Sequence, residues 1–242
     1  MTKRFDFNSQ NAHTVRDLCA VLLIILVFGA CQSKQESNQQ VSDVESNSEA
    51  PKTADTMSKG KHILFFGNSL TAGYMLEEEQ SFPSLIQKRL DSMGLDYNVI
   101  NAGLSGETTA AGAARIDWVL QQRVDIFVLE LGANDALRGL SVTETETNLR
   151  NILEKVRQKN PETALVIAGM LAPPNMGSEY TNVFNGIFSR LAKEFDAGLV
   201  PFLLDGVAAD PALNLGDGIH PNVEGQKIVM ENVWGVLKNY LS

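Results

Sequence analysis

From residue 61 onward, the chain alternates short apolar runs with longer stretches in which apolar residues recur every third or fourth position. HILFFG (62–67), YNVINA (97–102), DIFVLELG (125–132), TALVIAGM (163–170) and GLVPF (198–202) read as strands. DIFVLELG is the strongest, nearly all apolar, as a strand covered on both faces should be. Between them, 81–94, 108–122, 141–160, 180–195 and 222–241 carry helical periodicity. In the first of these, Ser81 suits the cap, Pro83 the first turn and Gly94 the end. Strands alternating with helices predict an α/β domain, flavodoxin-like, with a five-stranded parallel sheet in a three-layer α/β/α sandwich. Crossovers in such a sheet are right-handed, and ligands bind outside the carboxyl ends of the strands. The loops that follow the strands are therefore where chemistry is expected.

The first 60 residues follow a different pattern. Lys3, Arg4 and Arg16 precede LCAVLLIILVFGA, Leu18 to Ala30, an apolar run of about 13 residues where a bilayer span needs roughly 20. The run fits the apolar part of a secretory signal. It ends in Phe28-Gly29-Ala30-Cys31, which resembles a bacterial lipoprotein cleavage site with Cys31 as the acylated residue. An uncleaved signal anchor is the alternative. Either reading exports the rest of the chain on a membrane tether facing the periplasm or the cell exterior. Residues 32–60 are rich in Gln, Ser, Asn, Glu and Lys, lack aromatics, and read as a disordered stalk. The expected organisation is thus a signal segment over 1–31, a stalk over 32–60 and a domain over 61–242.

Composition narrows the chemistry. The formal net charge of -9 argues against a nucleic-acid partner. The two cysteines are Cys19 and Cys31, so the domain can hold no disulfide, cysteine nucleophile or cysteine-ligated zinc. The three histidines are His13, His62 and His220. His13 precedes the signal run and His62 opens the first strand, at the wrong edge of the sheet. That leaves His220 alone at the carboxyl edge, which disfavours a metal site built on clustered histidines and supplies one candidate proton shuttle.

The loops after the strands form a constellation. The first strand ends in Gly67-Asn68-Ser69, the second leads to Ser105-Gly106-Glu107, the third to Gly132-Ala133-Asn134-Asp135, and the last helix is preceded by Asp217-Gly218-Ile219-His220-Pro221. Ser69 is either a nucleophile or a cap for the next helix. Asp217, three residues before His220, can reach one imidazole nitrogen and hold its tautomer, leaving the other to face a hydroxyl. A lone Asp-x-x-His also suits a solvated helix-initiating turn. A nucleophilic serine needs oxyanion donors, and Gly106, Asn134 and the Ser69 amide are candidates. Taken singly, Gly106 also reads as a turn glycine and Asn134 as an Asx turn.

These blocks, GNSLTAGY, NAGLSGETT, ELGANDALRG and DGIHP, resemble the GDSL/SGNH hydrolase family, best in its branch of bacterial thioesterase I, lysophospholipase L1 and arylesterase. The resemblance covers nearly all of 61–242. It implies a serine esterase or thioesterase forming an acyl-enzyme on Ser69, with His220 as base, Asp217 orienting it, and Ser69, Gly106 and Asn134 as the oxyanion hole. It implies a small acyl-ester or lipid substrate; no cofactor or metal and a monomer are the accompanying expectations. One position departs from the family: Asn68 stands where Asp is usual. Asp135 adjoins Asn134 and is expected to hold that loop rather than to serve His220. Residue 71 is Thr, so the G-x-S-x-G elbow of α/β-hydrolases is absent. ALRGL (136–140) and LAPPNMGSEY (171–180) are expected to flank an apolar acyl groove. Carbohydrate O-deacetylation, a non-catalytic tethered module for acylated ligands, and a flavodoxin-like nucleotide binder are the other readings. The last lacks both G-x-x-x-x-G-K and G-x-G-x-x-G in the first loop.

Overall fold

The computed structural model describes residues 60–242. The signal-like segment, Cys31 and all but the last residue of the expected stalk lie outside the described residues. Among the described residues no helix is long and apolar enough to cross a membrane.

Five parallel strands form one sheet in the order β2-β1-β3-β4-β5. They are β1 (Lys61–Gly67), β2 (Tyr97–Gly103), β3 (Ile126–Glu130), β4 (Ala164–Ala168) and β5 (Gly198–Val200). Consecutive side chains on a strand point to opposite faces, so a strand covered by helices on both sides has no place for a polar alternation. Phe65 and Phe66 illustrate this. The Phe65 ring meets Phe82 of α2 (Phe82–Ser92) edge-on at 5.5 Å. The Phe66 ring lies 5.8 Å from that of Phe127 and under the guanidinium of Arg115, which belongs to α3 (Thr109–Val119). Helix α2 packs with α8 (Val223–Leu237), and α3 packs with α5 (Val142–Lys159), so the sheet has a helical layer on each face.

Three local differences from the sequence pattern have physical causes. The last strand stops at Val200, because Pro201 has no N–H to continue the ladder. The single helix expected over 180–195 is two, α6 (Ser178–Asn185) and α7 (Ile187–Glu194), meeting at Gly186, the weakest helix former in the stretch. Two short helices occupy what the pattern left as loops: α1 (Ser69–Ala72) and α4 (Ala133–Leu137).

From β1 the chain moves to β2 at one edge, then crosses β1 to β3 and continues to β4 and β5. The connections leaving β1 and β3 therefore diverge, and a crevice opens outside the carboxyl ends of these two strands. The register pairs Gly67 with Glu130 there.

Candidate active site

The crevice is built from the ends of β1 and β3 and from the loop before α8. At the end of β1, Asn68 caps α1, its side chain accepting from the Leu70 N–H at 2.9 Å. Ser69 is the first helical residue, mostly buried (8% exposed), and its backbone carbonyl accepts from the Tyr74 N–H at 3.0 Å. The stretch does start a helix, but its cap is Asn68 rather than Ser69, and the Ser69 hydroxyl is left for another partner.

That partner is His220. Its Nε2 lies 2.9 Å from Ser69 Oγ, and its Nδ1 lies 2.7 Å from Asp217 Oδ2. The second Asp217 oxygen, Oδ1, accepts from the backbone N–H groups of Ile219 (2.9 Å) and His220 (3.0 Å). The loop that carries them is closed at its base by an Asn214–Pro221 bridge and by the Leu215 N–H donating to the His220 carbonyl at 2.7 Å. Asn222 then caps α8, accepting from the Glu224 and Gly225 N–H groups. The Asp-x-x-His spacing works because the loop turns back on itself, letting one carboxylate hold its own backbone and the imidazole together. Asp217 titrates well below its ordinary range, at about 2, chiefly because of the Ile219 backbone hydrogen bond and then the His220 ring. Near neutral pH it is therefore a carboxylate. The Tyr74 ring covers one side of the imidazole, with centroids 4.5 Å apart.

The loop holding Gly106 and the helix holding Asn134 are fastened to each other. Asn134 Nδ2 donates to the Glu107 carbonyl at 3.0 Å, and Arg138 Nη2 donates to the Gly106 carbonyl at 3.0 Å. Asp135 accepts from the Thr109 N–H at 2.9 Å and from its hydroxyl at 2.6 Å, so it holds this loop, as the sequence suggested. Glu107 in turn receives both ends of the Arg115 guanidinium. Gly106 has φ +80° and the Glu107 N–H closes the turn onto Leu104, a conformation that favours glycine.

Ser69, Asn134 and His220 face a cavity of about 760 Å³. Its walls are largely apolar. Leu137 and the segment Leu171, Ala172, Pro173 and Pro174 line it, as expected of the loops after the third and fourth strands. Gly106 is not among the lining residues, and Met176 and Tyr180 lie in a separate depression. Phe202, Leu204, Ala208 and Ala209, from the stretch after β5, complete the far wall. No motif singled out that stretch, which follows the fifth strand and forms turns rather than a regular element.

Sequence reasoning also passed over Glu130, the last residue of β3. It is 1% exposed and accepts from Asn68 and Thr71. Burial raises its carboxyl to about 7, against the lowering effect of those hydrogen bonds. The available signal was one charged residue inside an apolar run, DIFVLELG.

Comparison with known proteins gives the chain its relatives. The GDSL-like Lipase/Acylhydrolase family pattern matches residues 65–228. Esterase TesA of Pseudomonas aeruginosa is 37% identical over 180 residues, 74% of this chain and 89% of its own. Thioesterase 1/protease 1/lysophospholipase L1 of Escherichia coli is 38% identical over 170 residues, 70% of this chain and 79% of its own. The crystal structure of the psychrotrophic esterase EstA from Pseudoalteromonas sp., inhibited by monoethylphosphonate, superposes with a TM-score of 0.70 at 30% identity, covering 74% of this chain and 98% of that one.

Proposed function

The chain belongs to the GDSL-like Lipase/Acylhydrolase family, and from that premise we infer that it is a serine esterase working through an acyl-enzyme on Ser69. The observation that carries the assignment of roles is the continuous hydrogen-bonded path Ser69 Oγ–His220 Nε2 and His220 Nδ1–Asp217. His220 takes the hydroxyl proton as Ser69 attacks the acyl carbonyl. Asp217 holds the tautomer with Nδ1 protonated, so that Nε2 is free to accept, and stabilises the imidazolium that results. Asn134, the Ser69 amide and Gly106 are the proposed oxyanion donors. Asn134 spends one amide hydrogen on the Glu107 carbonyl and has a second to give. His220 then protonates the leaving alcohol or thiol, and water attacking the acyl-enzyme regenerates Ser69.

The substrate class follows from the cavity. An acetyl group needs only a few tens of Å³, whereas about 760 Å³ of mostly apolar space suits an acyl chain of intermediate length. Lipid esters, including lysophospholipids, fit this space better than acetylated carbohydrates do. We further propose that Cys31 is acylated after removal of the signal segment, tethering the domain outside the cytoplasm by residues 32–60.

The test uses the full chain with a fluorophosphonate probe and p-nitrophenyl esters of two to sixteen carbons. Labelling and turnover should be lost in Ser69→Ala, and turnover should fall at least 1000-fold in His220→Ala, a typical loss for such a triad. Rates should peak at intermediate chain lengths. An unmutated chain that neither reacts with the probe nor turns over any ester ends the hydrolase reading. A maximum at acetyl ends the acyl-groove reading alone.

A further inference from the structure

Glu130 is a buried carboxylate for which the catalytic scheme above has no use. We propose that Glu130 is a positioning residue for Ser69, its carboxylate clamping the residues on both sides of the hydroxyl into the turn that presents it. The inference rests on Ser69 being the nucleophile.

The geometry is specific. Oε1 accepts from Asn68 Nδ2 at 2.8 Å. Oε2 accepts from the Asn68 N–H at 3.1 Å, the Thr71 N–H at 3.3 Å and the Thr71 hydroxyl at 2.8 Å. Asn68 precedes Ser69 and Thr71 follows it by two residues, so one carboxylate fixes the backbone on both sides of the nucleophile. Asn68 passes the constraint on. With its NH2 held by Glu130, its Oδ1 is turned to the Leu70 N–H and stands 3.4 Å from Ser69 Oγ. Sheet register brings these groups together, because Gly67 lies directly across from Glu130. A side chain on Gly67 would put its Cβ 2.1 Å from Thr71 Oγ1 and 2.6 Å from Glu130 Oε2. Only glycine leaves room for the carboxylate to reach over.

A buried carboxylate is costly to desolvate, and replacing a buried ionic group together with its partners by apolar residues is often as stable or more so. Replacing Glu130 alone would instead leave the Asn68 and Thr71 donors unpaired. What an apolar residue cannot do is accept four hydrogen bonds from one turn. No charged side chain is among the groups that shift the titration of Glu130, and its partners from the β1–α1 connection, Asn68 and Thr71, are uncharged. Its raised range puts protonation within reach of mild acid. A protonated Glu130 has a donor where an acceptor is needed, so the clamp would loosen and the serine would be presented less well.

Asn68 adds a route to a test. Exchanging the two groups, as N68D/E130Q, keeps one amide donor facing one carboxylate in the reverse sense. Glu130→Gln alone leaves two amides facing each other. We expect Glu130→Gln to lower kcat on a p-nitrophenyl ester at least 10-fold with KM changed less than 2-fold, since small misplacements of a reacting group carry large rate penalties. The exchange variant should recover at least 5-fold of that loss. The acid limb of the kcat profile should depend on two protonations in the unmutated chain and on one in Glu130→Gln. Thr71→Val, which keeps the carboxylate and removes one donor, should lower kcat about 3- to 10-fold and serves if Glu130→Gln fails to fold. The inference is overturned if kcat in Glu130→Gln stays within 2-fold, if the exchange recovers nothing, or if Thr71→Val matches the unmutated chain. Fluorophosphonate reactivity separates the two levels. An unmutated chain that does not label at Ser69 defeats the reading on which the clamp rests, whereas equal labelling rates in the unmutated chain and Glu130→Gln defeat the clamp alone.

Discussion

Glu130 and Asp217 approach the same serine from different regions of the fold, and their carboxyl groups titrate in opposite directions. Glu130 ends a central strand and accepts four hydrogen bonds. Asp217 lies in a surface loop and accepts three. The donor counts are close, so hydrogen bonding does not separate them. Water does: Glu130 is 1% exposed, whereas the Asp217 side chain is 36% exposed. Burial therefore dominates at Glu130 and lifts it to about 7, while hydrogen bonds meet little opposition at Asp217 and lower it to about 2. In the proposed mechanism the exposed acid is charged near neutral pH and supports His220, whereas the buried acid is within reach of protonation. Their effects on stability are opposite in sign. The Asp217 contribution is present above its ordinary carboxylate range and is lost as pH falls through about 2. The Glu130 contribution is present below the ordinary carboxylate range and is lost as pH rises through about 7.

The largest expected effect is on the exposed side. In Asp217→Asn, the amide oxygen will take the place of Oδ1, where two backbone N–H groups demand an acceptor. Its NH2 then faces His220 Nδ1 and forces the proton onto Nε2, the nitrogen that must accept from Ser69. We expect kcat to fall by roughly 10³ to 10⁴ with KM nearly unchanged, as in other triads whose tautomer is inverted. Steady-state kinetics on a p-nitrophenyl ester decides this, and a loss under 10-fold would mean that Asp217 does not set the tautomer. Next comes Glu130→Leu, which strands buried donors on Asn68 and Thr71 and should destabilise the fold by about 3–5 kcal/mol in urea unfolding. Asp217→Leu, on the solvated side, should cost far less. Equal losses would erase the contrast between the two regions.

The third effect is smaller and sharpens the contrast through pH. Between pH 5 and 8 the unmutated chain should lose roughly 2–3 kcal/mol relative to Glu130→Gln, because a neutral amide does not pay the burial of a charge. Paired urea unfolding at the two pH values measures it. A stability difference independent of pH would show that Glu130 does not titrate in this window.

The two regions also differ in how far they could be read from the sequence. Asp217 and His220 are three residues apart, so their contact is local and the spacing alone announces it. Ser69 joins them only through the sheet, but alternating strands and helices already specify that all these loops share one edge. The Glu130 clamp depends instead on register: which residue of β3 lies opposite Gly67 is set by packing across two strands distant in sequence. The wall formed by Phe202, Leu204, Ala208 and Ala209 was hidden for another reason, since turns without periodicity carry no pattern to read. Likewise α1 and α4, with four and five residues, are too short to display a helical period.

The smallest effect concerns Tyr74, and it asks whether the exposed loop holds itself. The ring lies 4.5 Å from the imidazole at a 39° tilt and covers one side of it. Among the described residues no hydrogen bond joins the Tyr74 hydroxyl to the loop that carries His220, so Tyr74→Phe should keep full activity. Tyr74→Ala removes the contact, which for an aromatic pair contributes about 0.5–1.5 kcal/mol, and kcat should fall about 2- to 10-fold. The bound is low because Asp217, the Asn214–Pro221 bridge and the Leu215–His220 hydrogen bond already fix the imidazole from behind. A fall beyond 100-fold in Tyr74→Ala would show that those bonds do not suffice. His220 would then be held from outside its loop, as Ser69 is held by Glu130, and the division between a self-supporting exposed region and a clamped buried one would no longer stand.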